Sequence, residues 1–228
     1  MLNPSKYKHI IWDWNGTLLD DAWLFVEIMN SVLKNRNMNT ITLEIYRDIF
    51  GFPIEEYYKK LGFDMEKEAF QQTGLEFIKA YEKRRYEAEL YPLVKSILSK
   101  LTSSLNIQHS ILSAQHQSLL DDITKHYNIR KYFIEINGLN NYLANSKLDE
   151  GIKLMQKIRL NAQQVLFIGD TYHDYEVAQA LGIDCILLSH GHTCHSRLIK
   201  TGATVIRELK TLFHIFAIEI SQAEVGLS

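Results

Sequence analysis

Short, unalternated apolar runs, each halted by a polar residue, set the tightest limit on how this chain can fold. His9-Ile10-Ile11-Trp12 runs into Asp13, Ile111-Leu112 into Ser113, and Phe133 to Ile136 into Asn137-Gly138. Val165 to Ile168 passes through Gly169 into Asp170, and Cys185 to Leu188 into Ser189. Runs this short and rich in Ile, Leu and Val suit strands covered on both faces, as in a parallel sheet. Between them apolar residues recur at helical spacing: Leu119, Ile123 and Tyr127; Leu148, Ile152 and Met155; Val177, Ala178 and Leu181, with Gly182 as a stop. Alternation of strand and helix over residues 91 to 215 predicts a Rossmann-like, doubly wound α/β core.

Residues 20 to about 88 read differently. Ala22, Val26, Met29 and Leu33 form one helical stripe behind Asp20 as its expected cap. Pro53 can open a short helix that Gly62 closes, and Phe70, Phe77 and Tyr81 mark a longer one. A strand-free stretch between the first two strands predicts an inserted all-helical unit. The expected division is a core of residues 1–18 and 89–228 with a helical cap of residues 19–88. A length of 228 residues suits one large domain with an insertion, above the usual ~100–150 residues.

Apolar residues make up 46% and charged residues 23%, which excludes disorder over the whole length. Twenty-five Lys and Arg against 27 Asp and Glu leave a charge of −2, giving no electrostatic reason to expect nucleic acid or acidic lipid. Cys185 and Cys194 are too few for a disulfide framework. Met1 to His9 lacks the apolar stretch of a signal peptide, and Leu212 to Ile220 is about half the ~20 residues that cross a bilayer. The expectation is a cytoplasmic protein without a membrane partner.

Ligands of open α/β sheets sit beyond the carboxyl ends of the strands. Asp13, Ser113 and Asp170 fall there, and Asp174 follows one helical turn after Asp170. Gly16 allows a tight turn after Asp13, and Thr17 adds a hydroxyl. Unit charges ~4 Å apart at an effective dielectric of 20 repel by roughly 4 kcal/mol. A carboxylate cluster therefore needs a cation or raised pKa values. An all-oxygen donor set favours a hard divalent ion, with Mg²⁺ keeping waters and a phosphate oxygen as its other ligands.

At these residues the chain resembles the haloacid dehalogenase-like hydrolase superfamily, in its phosphoglycolate-phosphatase-like branch with a helical C1-type cap. The first family motif is a hydrophobic strand followed by D-x-D-G-T, here Ile10 through Asp13-Trp14-Asn15-Gly16-Thr17 to Asp20. The second is a strand ending in Ser or Thr, here Ile111-Leu112-Ser113; the third is a lone lysine ahead of a helix, best matched by Lys147. The fourth, G-D-x-x-x-D, is Gly169-Asp170-Thr171-Tyr172-His173-Asp174, and Tyr91-Pro92 falls where the cap rejoins the core.

The resemblance implies a Mg²⁺-dependent phosphatase acting on a small phosphorylated metabolite, as a monomer or weak homodimer. Asp13 would attack phosphorus to give an aspartyl-phosphate that water then hydrolyses. Asp13, the Asn15 carbonyl, Asp170 and Asp174 would form the metal site. Lys147 would neutralise charge, while Thr17, Ser113, Ala114 and Lys147 would meet the substrate.

Asn15 departs from the family pattern, which has an acid/base aspartate there. A carboxamide cannot shuttle a proton, and general acid–base help is worth ~10²–10⁴-fold. Asp20, Asp21, His173 and His190 are the nearest replacements by motif position. The rival reading is a phospho-ligand binding or regulatory protein that is phosphorylated at Asp13 but scarcely turns over. Halide-releasing hydrolysis fits less well, because Asp170 and Asp174 imply a metal that such chemistry does not need.

Plainer roles stand beside these. Asp13 and Asp170 are possible helix caps, as is Ser113 for a helix from Ala114 onward. Lys153 rivals Lys147. His190, His192, Cys194 and His195 resemble zinc ligands, although four in six residues crowd a tetrahedral site; a loop at the mouth of the active site is the expectation. Phe52, Tyr57 and Tyr58 are expected in the cap core, with some of them facing substrate.

Overall fold

The computed structural model describes residues 3–66, 69–140 and 147–219. Its strands are β1 (His9–Trp12), β2 (Leu19–Asp20), β3 (Glu89–Leu90), β4 (Gln108–His116), β5 (Phe133–Leu139), β6 (Val165–Gly169), β7 (Asp184–Leu188) and β8 (Thr204–Ile206). Six of them form a sheet in the order β5-β4-β1-β6-β7-β8, and the pairings are parallel. The chain steps outward from β1 through β4 to β5, then crosses back to β6 on the other side of β1. That reversal opens a crevice at the carboxyl end of β1.

Both faces of this sheet are covered, which is why its apolar runs do not alternate. Ile10, Trp12, Ile111, Leu166 and Ile168 pack beneath α5 (Val94–Leu105), α6 (Gln117–His126) and α10 (Thr211–Ile215). Ile11, Leu112, Phe167 and Leu187 pack on the other face beneath α7 (Lys147–Ile158), α8 (Tyr172–Leu181) and α9 (His195–Leu198). Gly182, with φ 69°, ends α8 in the left-handed conformation.

The excursion between β1 and β4 carries four helices: α1 (Ala22–Lys34), α2 (Leu43–Ile49), α3 (Ile54–Leu61) and α4 (Phe70–Arg84). The antiparallel pair β2 and β3, with Leu19 opposite Leu90, brackets them. Ala22, Val26, Met29 and Leu33 are buried together with Tyr46, Tyr57, Tyr58 and Phe63 in a core separate from those of the sheet.

Several local readings change. β4 runs four residues past Leu112, so α6 begins at Gln117 and Ser113 caps no helix. Asn137 and Gly138 lie inside β5 rather than after it. Asp20 belongs to β2, and Asp21 precedes α1 without a capping hydrogen bond. The buried face of α7 is Lys147, Gly151 and Leu154, whereas Leu148 and Ile152 are exposed. Gly151 sets that register: a methyl there would lie 3.0 Å from Leu181 and 3.2 Å from Leu112. Among the described residues no helix is long and apolar enough to cross a membrane. The apolar stretch near the C-terminus forms the short α10, and Ile220 lies outside the described residues.

His109 is a buried titratable group of the core. Trp12 Nε1 donates to its Nδ1 at 3.1 Å, while its Nε2 lies 3.2 Å from the Leu98 carbonyl, so both nitrogens are engaged by the neutral ring. Burial lowers its pKa to about 3 from an ordinary 6.5. Below pH 6.5 the unfolded chain therefore gains a proton at His109 that the native core refuses, and the contribution of this residue to stability is lost as pH falls from 6.5 towards 3. Between pH 6.5 and 5 the stability measured by urea unfolding should differ in pH dependence between the wild type and His109→Gln by up to about one proton, the wild type losing more as pH falls; an unchanged slope contradicts the assignment.

Candidate active site

Asp13 follows β1, its backbone N–H donating to the Ile168 carbonyl at 2.9 Å. The chain then turns sharply at Gly16, where φ is 72° and any side chain would strike the Asp170 carboxylate and the His192 ring. Asp170, directly after β6, accepts from the Thr17 hydroxyl at 3.0 Å and the His192 backbone N–H at 2.6 Å. Asp174 is held in the first turn of α8 by a reciprocal cap with Thr171. Its Oδ2 accepts from the Thr171 N–H at 2.9 Å and hydroxyl at 2.7 Å.

Lys147, the first residue of α7, is buried between two of these acids, 2.6 Å from Asp13 and 2.5 Å from Asp174. Burial and the carboxylates of Asp174 and Asp170 push Asp13 up to about 8 against the pull of Lys147. Burial and Asp174 likewise raise Asp170 to about 6, opposed by His192. Burial also works against ionisation of Asp174, but Lys147 outweighs it and holds this carboxyl below the usual range. Burial opposes the charge on Lys147 in turn, yet its two acidic partners keep its pKa raised. One ammonium faces three carboxylates whose oxygens lie within 4.8 Å of one another. An all-oxygen cradle with surplus negative charge is the donor set of a hard divalent cation, so the residues fit one.

Asn15, itself half-buried, joins a second network whose other members are buried. Its side-chain N–H groups donate to Asp21 Oδ2 at 2.6 Å and to the Tyr81 hydroxyl at 2.9 Å, and that hydroxyl donates to Asp21 at 2.9 Å. Asp21 Oδ1 accepts from the Gly16 N–H at 3.0 Å and lies 3.2 Å from His192 Nε2. The other ring nitrogen of His192 is 2.7 Å from the Tyr46 hydroxyl. Burial opposes protonation of His192, but Asp21, Asp170 and Asp13 raise its pKa.

A cavity of about 200 Å³ opens over these groups between the sheet edge and the helices of residues 22–84. Asp13, Asn15, Ser113, Ala114, Lys147 and Asp174 line its floor. Thr17 is fully buried, and its hydroxyl orients Asp170. Phe52 and Tyr58 line the cavity, whereas Tyr57 packs in the helical core. Lys153 is exposed and paired with Glu150, leaving Lys147 as the lysine of the site.

The residues considered as replacement bases are scattered. Asp20 lies in β2; His173 packs on the Phe52 ring at 4.7 Å; His190 stacks on Tyr91 at 3.8 Å. Only Asp21 touches Asn15. The four zinc-like side chains have separate partners: His192 with Asp21 and Tyr46, His190 with Tyr91, Cys194 with Ser196, and His195 with Ser189. Among the described residues they form no metal-sized cluster. His192 nevertheless lines the cavity, so the loop after β7 does reach the site. The sequence reading missed His192 and Tyr81 as neighbours of Asn15; the tandem Asp20-Asp21 after the first motif was the available signal.

This geometry defines an enzyme of the doubly wound α/β class, with carboxylates gathered at the switch point of the sheet. The haloacid dehalogenase-like hydrolase family matches residues 10–188, and the chain belongs to that family. It is 25% identical over 215 residues to a phosphoglycolate phosphatase of Pseudomonas syringae pv. tomato, covering 90% of this chain and 78% of that protein. It is 22% identical over 205 residues to the tyrosine-protein kinase PtkA of Mycobacterium tuberculosis, covering 89% and 69% respectively. A haloacid dehalogenase-like hydrolase from Streptococcus pneumoniae shares the fold, with a TM-score of 0.78, 21% identity and coverage of 92% of this chain and 99% of that one.

The acid cluster generates a pH test. Asp13 and Asp170 have raised native values of about 8 and 6, against 3.8 ordinarily. Between pH 4 and 8 these two carboxyls of the ion-free folded protein hold protons that they lose in the unfolded chain, so their contribution to stability falls as pH rises. A divalent cation competes with those protons. Saturating Mg²⁺ should therefore raise the melting temperature more at pH 8 than at pH 5, and Asp170→Asn should remove most of that gain. Equal shifts at both pH values contradict the cluster as the binding site.

Proposed function

We propose that this chain is a divalent-cation-dependent phosphomonoesterase working through an aspartyl-phosphate on Asp13. The observation that carries this reading is the placement of Asp13: at the tip of a central strand, 2.6 Å from Lys147, on the floor of a closed-over cavity. Residues 19–88 act as a cap that excludes bulk water above a core of residues 1–18 and 89–228.

Asp13 supplies the nucleophilic oxygen. Lys147 keeps it oriented and offsets charge as the phosphoryl group approaches, while Asp174 anchors Lys147. The Ser113 hydroxyl and the backbone of Ala114, which share the cavity floor, accommodate phosphoryl oxygens. Asp13, the Asn15 carbonyl, Asp170 and Asp174 would hold Mg²⁺, which supplies electrostatic screening between carboxylate and phosphate dianion. Phosphoryl transfer to Asp13 breaks the ester bond, and attack by water on phosphorus then returns the carboxylate. The second step lacks a carboxylate base at position 15, so the phosphoenzyme decays slowly. The phosphoglycolate phosphatases among its relatives support the reaction class. The unpaired cysteines suit a reducing cytoplasm, with a monomer or weak homodimer as the working form.

A second reading, a phosphorylatable regulator, draws on the engagement of Asn15 by Asp21 and Tyr81. Rapid-mix assays separate the two. An ester substrate with Mg²⁺ should give a burst of alcohol release near one equivalent per chain, followed by continuous turnover, and Asp13→Asn should lose both phases. A retained label without turnover supports the regulator; phosphate release unaffected by Asp13→Asn overturns both readings.

A further inference from the structure

The walls of the cavity above Asp13 are aromatic. Phe25, Phe50, Phe52, Tyr58, Phe70 and Phe77 face it, and Lys147 is the one lysine or arginine among the described residues that line it. That ammonium is already shared by Asp13 and Asp174. Arg47, the nearest other candidate, spends its guanidinium on the carbonyls of His190 and Gly191 and does not line the space. A substrate bearing a second anionic group, such as phosphoglycolate, would press a carboxylate against rings without a counter-charge, which is costly. An uncharged ring fits instead, by stacking and edge contacts.

A separate observation concerns the leaving group. Asn15 has no acidic proton, and both of its N–H groups point inward to Asp21 and Tyr81. The Tyr81 hydroxyl donates to Asp21, and both nitrogens of His192 are taken by Asp21 and Tyr46. His116, further out along the wall, is tied through Nδ1 to Ser118. The donors beside Asn15 are therefore committed to the protein, and the Ser113 hydroxyl and Gln115 amide on the cavity lining are too weakly acidic to protonate a leaving oxygen near neutral pH. An alkoxide, about as basic as hydroxide, needs a proton as it departs, whereas a phenolate with a conjugate acid of pKa ≈ 10 leaves unaided.

From these two observations, and resting on the phosphatase reading above, we infer that the substrate is an aryl phosphate monoester, a phosphate carried on the hydroxyl of an uncharged aromatic ring. Asp13 Oδ attacks phosphorus, the bond from phosphorus to the aryl oxygen breaks, and the phenolate leaves with the electron pair to be protonated by solvent. Water then attacks the phosphorus, the bond to Asp13 breaks with its electrons returning to the carboxylate, and the proton of the water passes to phosphate and solvent. Gln115 adds polarity without charge: both polar atoms of its amide are buried at the cavity wall without a hydrogen-bond partner and can pair with a neutral polar substituent of the ring.

The test compares phenyl phosphate, cyclohexylmethyl phosphate and 2-phosphoglycolate on the full chain with Mg²⁺. Phenyl phosphate should exceed both others in kcat/KM by roughly 100-fold, the scale of an absent general acid or an unpaired charge. Cyclohexylmethyl phosphate should still compete with phenyl phosphate at similar concentration, since it shares the apolar shape and lacks only the good leaving group. In Asn15→Asp combined with Asp21→Asn, which exchanges the amide and the carboxyl, the gap between the two apolar esters should close by at least about tenfold. Phe52→Arg, at the partly exposed rim, should improve phosphoglycolate relative to phenyl phosphate, so the test survives if the double variant fails to fold. Phosphoglycolate turned over as well as phenyl phosphate overturns the substrate class and leaves the phosphatase reading intact. No phosphate release from any ester, with no phosphoryl label on Asp13, overturns the phosphatase reading itself.

Discussion

A single buried ammonium holds the active end of this molecule together. Lys147 lies within hydrogen-bonding distance of both Asp13 and Asp174, and both acids are buried. Without that charge, carboxylates a few ångströms apart in a poorly solvated pocket would have to take up protons. Removal of one partner from such a group ordinarily costs ~3–5 kcal/mol, because an uncompensated charge stays behind. Three pieces of chain distant in sequence meet at this point: the end of β1, the start of α7 and the first turn of α8. The cap of α8 and the register of α7 are therefore set by electrostatics as much as by packing. Gly151, buried against Leu181 and Leu112, lets α7 come close enough for Lys147 to reach.

The same economy governs the turn after β1. Gly16 must pass between the Asp170 carboxylate and the His192 ring, which leaves no room for a side chain. Its close approach lets the Thr17 hydroxyl and the His192 backbone fix both oxygens of Asp170. The loop after β7 is then locked in place by Arg47, whose guanidinium holds the carbonyls of His190 and Gly191. Arg197 answers from the core side by donating to the Arg47 and Phe50 carbonyls at 3.0 and 2.6 Å. The helical insertion and the sheet are thus joined through backbone acceptors at the rim, leaving the interior of the cavity free for ligand.

The strands were legible because burial on both faces writes itself directly into sequence: His9–Trp12 and Val165–Gly169 need no neighbour to explain them. The acids at their ends were legible for the related reason that a polar residue stopping such a run has few places to go. Other features depend on partners far along the chain. The continuation of β4 past Ser113 rests on pairing with β5, where His116 meets Leu139 after a shift in register. The face of α7 was misread because Leu148 and Ile152 repeat at helical spacing, whereas the buried positions are a glycine and a lysine, types that a hydrophobic pattern discounts. His192 looked like part of a metal tract because sequence shows adjacency but not direction, and its neighbours turn to Tyr91, Ser196 and Ser189 instead.

Asn15 is better understood as half of a pair than as a lost aspartate. Its amide sits 2.6 Å from the Asp21 carboxylate, itself inaccessible and already accepting from the Gly16 backbone and the Tyr81 hydroxyl. An aspartate at position 15 would bring two carboxylates to hydrogen-bond distance, where both cannot ionise. A carboxamide satisfies the same geometry without that conflict, because it donates where a carboxylate can only accept. The carboxylate of this region has in effect moved one layer back, from the cavity floor to the foot of α1. There it braces Asn15, Tyr81 and His192. A site built in this way keeps Asp13 and the three-carboxylate cluster while placing an amide where a carboxyl would otherwise face the cavity.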